Sequence, residues 1–436
     1  MDSSAHRTLD RRDIRTLCLA ALGGALEFYD FVVYVFFAVT IGTLFFPADI
    51  PDWLRLLQTF GIFAAGYLAR PLGGIVIAHF GDLLGRKRMF TFSIVLMALP
   101  TLAMGLFPTY ESIGLLSPLL LLLMRILQGA AIGGEVPGAW VFVAEHVPSR
   151  HTGFAVGTLT AGLTSGILLG SLIATAINQI FTPEQVTSYA WRIPFLLGGA
   201  FGLFAIYLRR FLEETPVFKE MQANKRLAEG LPLRTILKQH AGAVVLCMLL
   251  TWVLSAAIVV VILFTPTYLQ KQFSVPPALA LQANSLAIIA LTLGCVVFGI
   301  AADRVGSKLT LAVGHAGLLF ANYFFYSHLP GSALELMARY ALAGFFVGTV
   351  GAIPSVLVRA FPAALRFSGL SFSYNVAYAV FGGLTPVMLT LWLKSDPEAP
   401  AHYVAALAVL GIALSFVPVP GAAASPHLPE SAPQNP

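Results

Sequence analysis

Long apolar stretches recur along this chain, and they constrain its fold more than any other feature. Each is about twenty residues or longer, enough for a helix to cross the roughly 30 Å hydrocarbon core of a bilayer. Of the 436 residues, 57% are hydrophobic and only 11% are charged, a balance that excludes an ordinary soluble domain. We therefore expect an all-α integral membrane protein whose solvent is the lipid bilayer.

The apolar runs predict twelve transmembrane helices. They lie at residues 14–46, 54–80, 89–107, 113–145, 151–181, 190–211, 240–270, 278–302, 308–327, 331–358, 364–393 and 401–419. The longest charged connection divides them six and six, so we expect an N-terminal bundle at 14–211, a cytoplasmic loop at 212–239 and a C-terminal bundle at 240–419. Tails at 1–13 and 420–436 flank the bundles, and the second tail, rich in Pro, Ala and Ser, is expected to be disordered.

Basic residues predict the orientation of the chain. With the N-terminus inside, the Lys and Arg residues that lie between the spans fall on cytoplasmic segments, except Arg55, Arg192, Lys271 and Lys394. Because cytoplasmic loops are enriched in Lys and Arg, we expect both termini in the cytoplasm and the protein in the cell (inner) membrane. This orientation accounts for the net charge of +5, so nucleic acid is not a predicted partner.

The two halves carry matching motifs, which indicates an internal repeat. GDLLGRK at 81–87 returns as ADRVGSK at 302–308. A second pairing, at a different offset, joins Arg125 with Arg339, Gly134 with Gly348, and Pro148 with Pro362. Repeated six-span halves suit an alternating-access transporter, because a site at their interface can face either side as the halves rock. A membrane enzyme would need catalytic clusters in longer loops and is not expected, whereas a sensor that has lost transport stays open.

Several motifs resemble those of one transporter superfamily. AHFGDLLGRK at 78–87 is similar to the loop between spans two and three of the major facilitator superfamily, although Ala78 replaces its usual first glycine, and RILQGAAIGGE at 125–135 is similar to its fourth-span arginine motif. ALEFYDFVVYVFF in span one, YLARPLGG in span two, WRIPFLLG in span six, RRFLEETPVF after it and FGGLTP in span eleven resemble the metabolite:proton symporter family. The resemblance covers nearly the whole chain and implies twelve helices in two pseudo-symmetric halves.

The resemblance also implies a function, proton-coupled uptake of a small metabolite. An organic acid such as citrate or 2-oxoglutarate is the main expectation, and a zwitterion such as proline or betaine is the alternative. The expected partners are the small-molecule substrate, protons and the lipid bilayer, and a monomer is expected. No cofactor or metal is predicted, since the three cysteines lie inside apolar spans without metal-ligand spacing.

The repeated loop motif is expected to act as a latch between the halves. The predicted gating residues are Asp82, Gly85, Arg86, Asp303 and Gly306. Glycine allows a tight reversal, and an anion is stabilised near a helix N-terminus. The resemblance implies that Asp82 engages the start of span eleven when the cytoplasmic side is closed. Ser307 in place of the arginine argues against an equivalent latch in the second half.

Three acids inside the spans are candidates for proton coupling: Glu27, Asp30 and Glu135. A carboxyl in a poorly solvated cavity takes up a proton more readily than one in water, so any of the three could carry the coupling proton. Glu27, Asp30 and Tyr34 are spaced i, i+3 and i+7 and are expected on one helix face. For Glu27 and Asp30 the alternative is a fixed salt bridge to Arg70 or Arg125, which would only hold helices together.

Arginines inside the spans are the predicted substrate contacts. Together with neighbouring polar residues, the predicted substrate site comprises Tyr34, Arg70, Arg125, Gln128 and Arg339. Arginine stays charged and can hold a carboxylate with two parallel hydrogen bonds. Arg339 ranks below Arg70 and Arg125, because its position in span ten is closer to the outer surface. A seam of Gly162, Gly166 and Gly170 in span five is expected to serve helix packing instead of binding.

Overall fold

A computed structural model describes residues 11–84, 86–133, 135–209, 233–327 and 331–419. Throughout this part of the chain, every regular element is a helix. Most of the predicted central loop, 212–239, and most of both tails lie outside the described residues. The predicted bundle boundaries at the loop and tails therefore stay predictions.

The first six spans form as follows. Span 1 comprises Arg11–Phe36 and Ala38–Phe45, span 2 is Asp52–Leu84, span 3 is Arg86–Leu106, span 4 comprises Leu116–Ile132 and Glu135–His146, span 5 is Thr152–Ile180 and span 6 is Arg192–Arg209. Short helical segments connect them at Tyr110–Ile113, Ser149–His151, Pro183–Gln185 and Val186–Ala190.

The last six spans follow a short helix, Leu233–Gln239. Span 7 comprises Ala241–Ala257, a π-helical segment Ile258–Phe264 and Thr265–Gln272; span 8 is Pro277–Val305; span 9 is Ser307–Tyr326; span 10 comprises Ala333–Val347, a 3₁₀ segment Gly348–Gly351 and Ile353–Leu357; span 11 comprises Ala363–Ala377, a π segment Tyr378–Gly382 and Gly383–Trp392; span 12 is Ala399–Ser415.

Each predicted apolar run coincides with one of these helical spans, which confirms the twelve-helix, all-α fold. By length and composition, seven helices among the described residues can cross a membrane, or eight if the bent pair of span 1 counts as one. Three shorter apolar helices lie within spans 3, 6 and 12: Val95–Leu106, Arg192–Ala205 and Ala399–Ser415.

One irregularity in the helices is matched between the halves. Span 10 changes to a 3₁₀ segment at Gly348, but Gly134, the residue that the sequence repeat aligns with it, lies outside the described residues. Span 1 bends by 60° around Phe37, and span 7 changes to a π-helix at Ile258, which lies 221 residues later, the offset of the loop motif. The matched positions of the irregularities in spans 1 and 7 support the duplication inferred from sequence.

The predicted glycine seam packs span 5 against span 1. A Cβ added at Gly162 or Gly166 would overlap Ala21 and Ala25, and one added at Gly170 would lie 3.3 Å from Phe36. Small residues let helix backbones approach closely in a membrane. The seam therefore serves packing, as its spacing predicted.

Spans 5 and 8 form a long contact between the two halves. Three pairs mark its length: Gly153 against Gly299, Thr164 Oγ1 with Thr292 Oγ1 at 3.0 Å, and Ser171 Oγ with Ser285 Oγ at 2.9 Å. We call the end where span 5 begins at Thr152 the inner end, predicted to be cytoplasmic. The opposite end, where span 2 begins at Asp52, is the outer end.

Candidate functional site

Arg70 lies at the interface between the halves. It belongs to span 2, and its side chain is only 3% exposed. Its guanidinium carbon lies 5.3 Å from the ring centroid of Tyr67, in the same span, and 5.8 Å and 4.8 Å from the rings of Tyr374 and Tyr378 in span 11. A cation of the first half is thus surrounded by three tyrosines, two of them from the second half. We call Tyr67, Tyr374 and Tyr378 the tyrosine cage.

One edge of the Arg70 guanidinium is unoccupied as far as the described residues show. Its Nε and Nη2 nitrogens are buried and have no hydrogen-bond partner among the described residues. Leaving a buried donor unpaired costs on the order of 1–3 kcal/mol, and more for a charged group. Adjacent N–H groups on one guanidinium edge match the two oxygens of a carboxylate. This edge of Arg70 therefore presents two adjacent donors in the arrangement that a carboxylate accepts.

Arg125 is fully buried within the first half. Its Nη1 donates hydrogen bonds to the carbonyl oxygen of Phe31 at 3.1 Å and to Oε1 of Gln128 at 2.8 Å. Its guanidinium carbon lies 4.2 Å from the ring centroid of Phe31 and 4.7 Å from that of Tyr34. These partners belong to spans 1 and 4, so they fix Arg125 inside one half. Its Nε and Nη2 also lack a hydrogen-bond partner in the described part of the chain.

Gln128 connects Arg125 to span 3, next to Asp30. Its Nε2 donates a hydrogen bond of 2.6 Å to Oγ1 of Thr101. A Cβ added at Gly198 in span 6 would lie 2.6 Å both from Oδ1 of Asp30 and from Cγ2 of Thr101. Asp30 therefore occupies a notch that the glycine leaves between spans 1, 3 and 6. It is 3% exposed, and its Oδ1 has no hydrogen-bond partner among the described residues.

The salt-bridge alternative is not realised at Asp30. Among the described residues, no ion pair joins Asp30 to Arg70 or Arg125. Tyr34 also faces a different neighbour from Asp30, since its hydroxyl donates to the carbonyl oxygen of Thr59 in span 2 at 3.0 Å. Asp30 and Tyr34, which their spacing predicts on one helix face, thus contact different spans: Asp30 lies against spans 3 and 6, and Tyr34 against span 2. Glu27 is buried.

Arg339 lies apart from Arg70 and Arg125, near the outer end. It forms an ion pair with Glu335 and donates to the carbonyl oxygen of Phe324 at 3.3 Å. Glu335 is in the first turn of span 10, which explains the outer location. The side chain of the third candidate acid, Glu135, lies outside the described residues.

The inner end contains a contact that the sequence argued against. Asp303, at the end of span 8, accepts hydrogen bonds of 2.7 Å from the backbone N–H groups of Gly153 and Phe154. These amides lie in the first turn of span 5, where backbone donors lack partners within the helix. The carboxylate of one half therefore caps a helix of the other. Gly306, with φ of +89°, makes the turn into span 9, as expected for a glycine of this motif.

The first-half gating candidates cannot be placed in the same way. Gly85 and the side chains of Asp82 and Arg86 lie outside the described residues. The start of span 11 is nevertheless connected to the first half, because Arg366 forms an ion pair of 3.0 Å with Glu145 at the end of span 4.

Two lysines of the second half hold the outer end of span 2. Nζ of Lys271 lies 3.0 Å from Oδ2 of Asp52, and Nζ of Lys394 lies 2.9 Å from the ring centroid of Trp53. The hydrogen bond and charge of Lys271 keep the pKa of Asp52 below its ordinary value of 3.8. From the sequence alone, both lysines indicate only the orientation of the chain. Their rarity among the outer segments was the available signal that they have a structural role.

The chain resembles known membrane transporters along nearly its whole length. The model of the Major Facilitator Superfamily matches residues 20–386. A putative proline/betaine transporter of Staphylococcus aureus is 35% identical over 403 residues, covering 91% of this chain and 86% of the relative. The glycine betaine/proline/ectoine/pipecolic acid transporter OusA of Dickeya dadantii is 31% identical over 419 residues, covering 92% and 82%.

A solved structure shows the same fold at low sequence identity. The proton:xylose symporter XylE, bound to 6-bromo-6-deoxy-D-glucose, superposes with a TM-score of 0.74 at 17% identity, over 94% of this chain and 97% of that one. At this identity the likeness concerns the fold alone. The family match and the relatives together establish that the chain belongs to the major facilitator superfamily of membrane transporters and, within it, to the metabolite:proton symporter family.

Proposed function

We propose that the protein is a proton-coupled symporter that takes up a small zwitterion of the proline or betaine type by alternating access. The observation that carries this proposal is the unoccupied edge of Arg70, buried at the interface of the halves beside three aromatic rings. A site at that interface can be reached from either side as the halves rock. The two donors on this edge of Arg70 would bind the carboxylate of the substrate, and the aromatic rings would bind the positive charge next to it.

The zwitterion takes precedence over the organic acid that the sequence analysis put first. Relatives sharing about a third of their residues with this chain are named as transporters of proline and betaine. Citrate carries several carboxylates and would need several cations. In the described part of the site, one arginine faces the interface, while Arg125 is enclosed in the first half and Arg339 is paired with Glu335. One interfacial arginine suits a single carboxylate.

The coupling proton is assigned in this proposal to Asp30, with Glu27 and Glu135 as alternatives. A buried carboxyl without an ion-pair partner is expensive to keep charged, so it binds a proton readily. Asp30 meets this condition, and Thr101, Gln128 and Arg125 connect its surroundings to the core of the first half. Protonation of Asp30 can thereby influence the helices that carry the substrate site.

Uptake into proteoliposomes tests the proposal. Labelled proline, glycine betaine, citrate and 2-oxoglutarate are supplied outside vesicles with an inward proton gradient, and uptake is compared with and without a protonophore. We expect accumulation of a zwitterion that the protonophore abolishes. Accumulation of a di- or tricarboxylate instead, or zwitterion uptake that ignores the protonophore, would contradict the substrate or the coupling, respectively.

A further inference from the structure

We propose that the tyrosine cage binds the positively charged end of the substrate, and that the guanidinium of Arg70 occupies the cage when no substrate is bound. This inference rests on the proposed function and specifies its binding site. The rings form one continuous group: those of Tyr67 and Tyr378 stack at 5.3 Å between centroids, and those of Tyr374 and Tyr378 lie 5.1 Å apart. All three side chains are buried.

The cage already holds a buried cation, which shows that its chemistry suits one. Aromatic faces attract cations, most strongly where water is excluded. A quaternary ammonium has no N–H group to donate, so hydrogen-bond acceptors cannot bind it and aromatic faces can. Three rings lie within 6 Å of the central carbon of the Arg70 guanidinium. This geometry is therefore suitable both for the quaternary ammonium of betaine and for the secondary ammonium of proline.

The charge groups of the site are spaced for a short zwitterion. In proline and betaine a single carbon separates the carboxylate from the nitrogen. The unoccupied edge of Arg70 is part of the same guanidinium that sits in the cage, so the two subsites adjoin. When the ammonium enters, Arg70 moves from the rings to the carboxylate, and the cage exchanges one cation for another.

The cage also links substrate binding to the closing of the interface. Tyr374 and Tyr378 come from span 11, and Tyr67 comes from span 2. A cation enclosed by all three rings contacts both halves at once. Trp140 of span 4 supports the arrangement from the first half, packing edge-on against Tyr374 at 5.2 Å.

Two probes of nearly the same shape isolate the contribution of the positive charge. Glycine betaine carries a trimethylammonium group, and 3,3-dimethylbutanoate has a tert-butyl group in its place. Inhibition of labelled proline uptake by each probe gives a ratio of their affinities. We expect the wild-type protein to prefer betaine by at least about tenfold.

Variants of Tyr378 then test the rings. Tyr378→Phe keeps the aromatic face and should keep most of the preference, whereas Tyr378→Leu removes one of the three rings and should lower the ratio several-fold. Tyr374→Leu serves the same purpose if Tyr378→Leu does not reach the membrane. Tyr189→Leu is the matched control, because Tyr189 is 48% exposed and lies in the outer connection between spans 5 and 6; its ratio should equal that of the wild type.

The outcomes separate this inference from the proposed function. A wild-type ratio near one, a Leu variant that keeps the full preference, or a Phe variant that loses as much as the Leu variant would overturn the cage while leaving zwitterion transport intact. If the wild-type protein takes up no zwitterion at all, the proposed function itself fails, and the cage with it.

Discussion

Removing the negative charge of Asp303 should release the inner end. In Asp303→Asn the side chain keeps its shape and one acceptor oxygen, but an NH2 group, which donates and cannot accept, replaces the second oxygen. In the wild-type protein both oxygens accept, from Gly153 and Phe154, each at 2.7 Å. The variant therefore loses one charged hydrogen bond and weakens the other.

The size of the effect follows from these two bonds. A hydrogen bond to a charged group contributes about 1.5–3 kcal/mol net, and the first turn of a helix favours an anion by a similar mechanism. Taking a loss of about 1.5–3 kcal/mol, the ratio of inner-open to inner-closed protein should rise roughly 10- to 150-fold, since 1.4 kcal/mol is a factor of ten. A change of this size in the population of the inner-open state is measurable.

Distance measurements between spin labels can detect this shift. Labels on Ser149→Cys and Val305→Cys, both exposed in the wild-type protein, flank the contact between spans 5 and 8. The exposed Cys18 is replaced by serine, and the buried Cys247 and Cys295 can stay. In lipid nanodiscs, double electron–electron resonance should show a longer distance whose population increases in Asp303→Asn.

Lys271→Gln is the matched control at the outer end. The Lys271–Asp52 pair is substantially exposed, with 35% and 64% of the two side chains accessible, so solvent screening limits it to at most about 1 kcal/mol. This variant should not increase the inner distance. If the population of the longer distance in Asp303→Asn stays within about twofold of that in the wild type, the capping role is refuted, whether or not transport changes.

Three further predictions concern the central site and the outer end. In Asp30→Asn, gradient-driven accumulation should be lost while exchange between equilibrated vesicles continues, because an amide keeps the carboxyl's shape but cannot titrate; equal loss of both would make Asp30 structural. Arg70→Lys should weaken zwitterion affinity in exchange by about 1–3 kcal/mol, since lysine lacks the planar edge, whereas Arg125→Lys should change it less than about threefold; the reverse order would place the carboxylate at Arg125. Lys271 lowers the pKa of Asp52 below 3.8, so the Lys271–Asp52 ion pair is fully formed above pH 3.8 and is lost only as the pH falls through the lowered pKa. The pH dependence of uptake between pH 5 and 8 should therefore be the same in Lys271→Gln and in the wild type.

The spans and the repeat could be predicted because they depend on local properties of the sequence. A run of apolar residues is required wherever a helix crosses the bilayer, and the matched motifs at 81–87 and 302–308 are visible without structure. The tyrosine cage could not be predicted in this way. Tyr374 and Tyr378 are some three hundred residues from Arg70 along the chain, and hydropathy does not tell which faces of spans 2 and 11 meet.

The inner contact shows a different limit of sequence reasoning. Comparison with the first-half motif made the arginine look essential, and Ser307 replaces it in the second half. The contact of Asp303 uses backbone N–H groups of span 5 instead. Every sequence has backbone N–H donors, so a motif of side chains does not indicate which of them a carboxylate will contact. Similarly, helical spacing placed Asp30 and Tyr34 together, but a modest angular difference was enough to direct them toward different spans.

The contact between spans 5 and 8 has the composition of a sliding interface. Its facing residues include Gly153, Gly299, Thr164 and Ser171, which are small and have few or no rotatable side-chain bonds. Glycine and alanine lose no side-chain entropy on burial, whereas long side chains lose up to about 2 kcal/mol each. Surfaces of this kind can slide past one another without disengaging interlocked side chains, so we expect the two halves to shift along this contact during transport without repacking it.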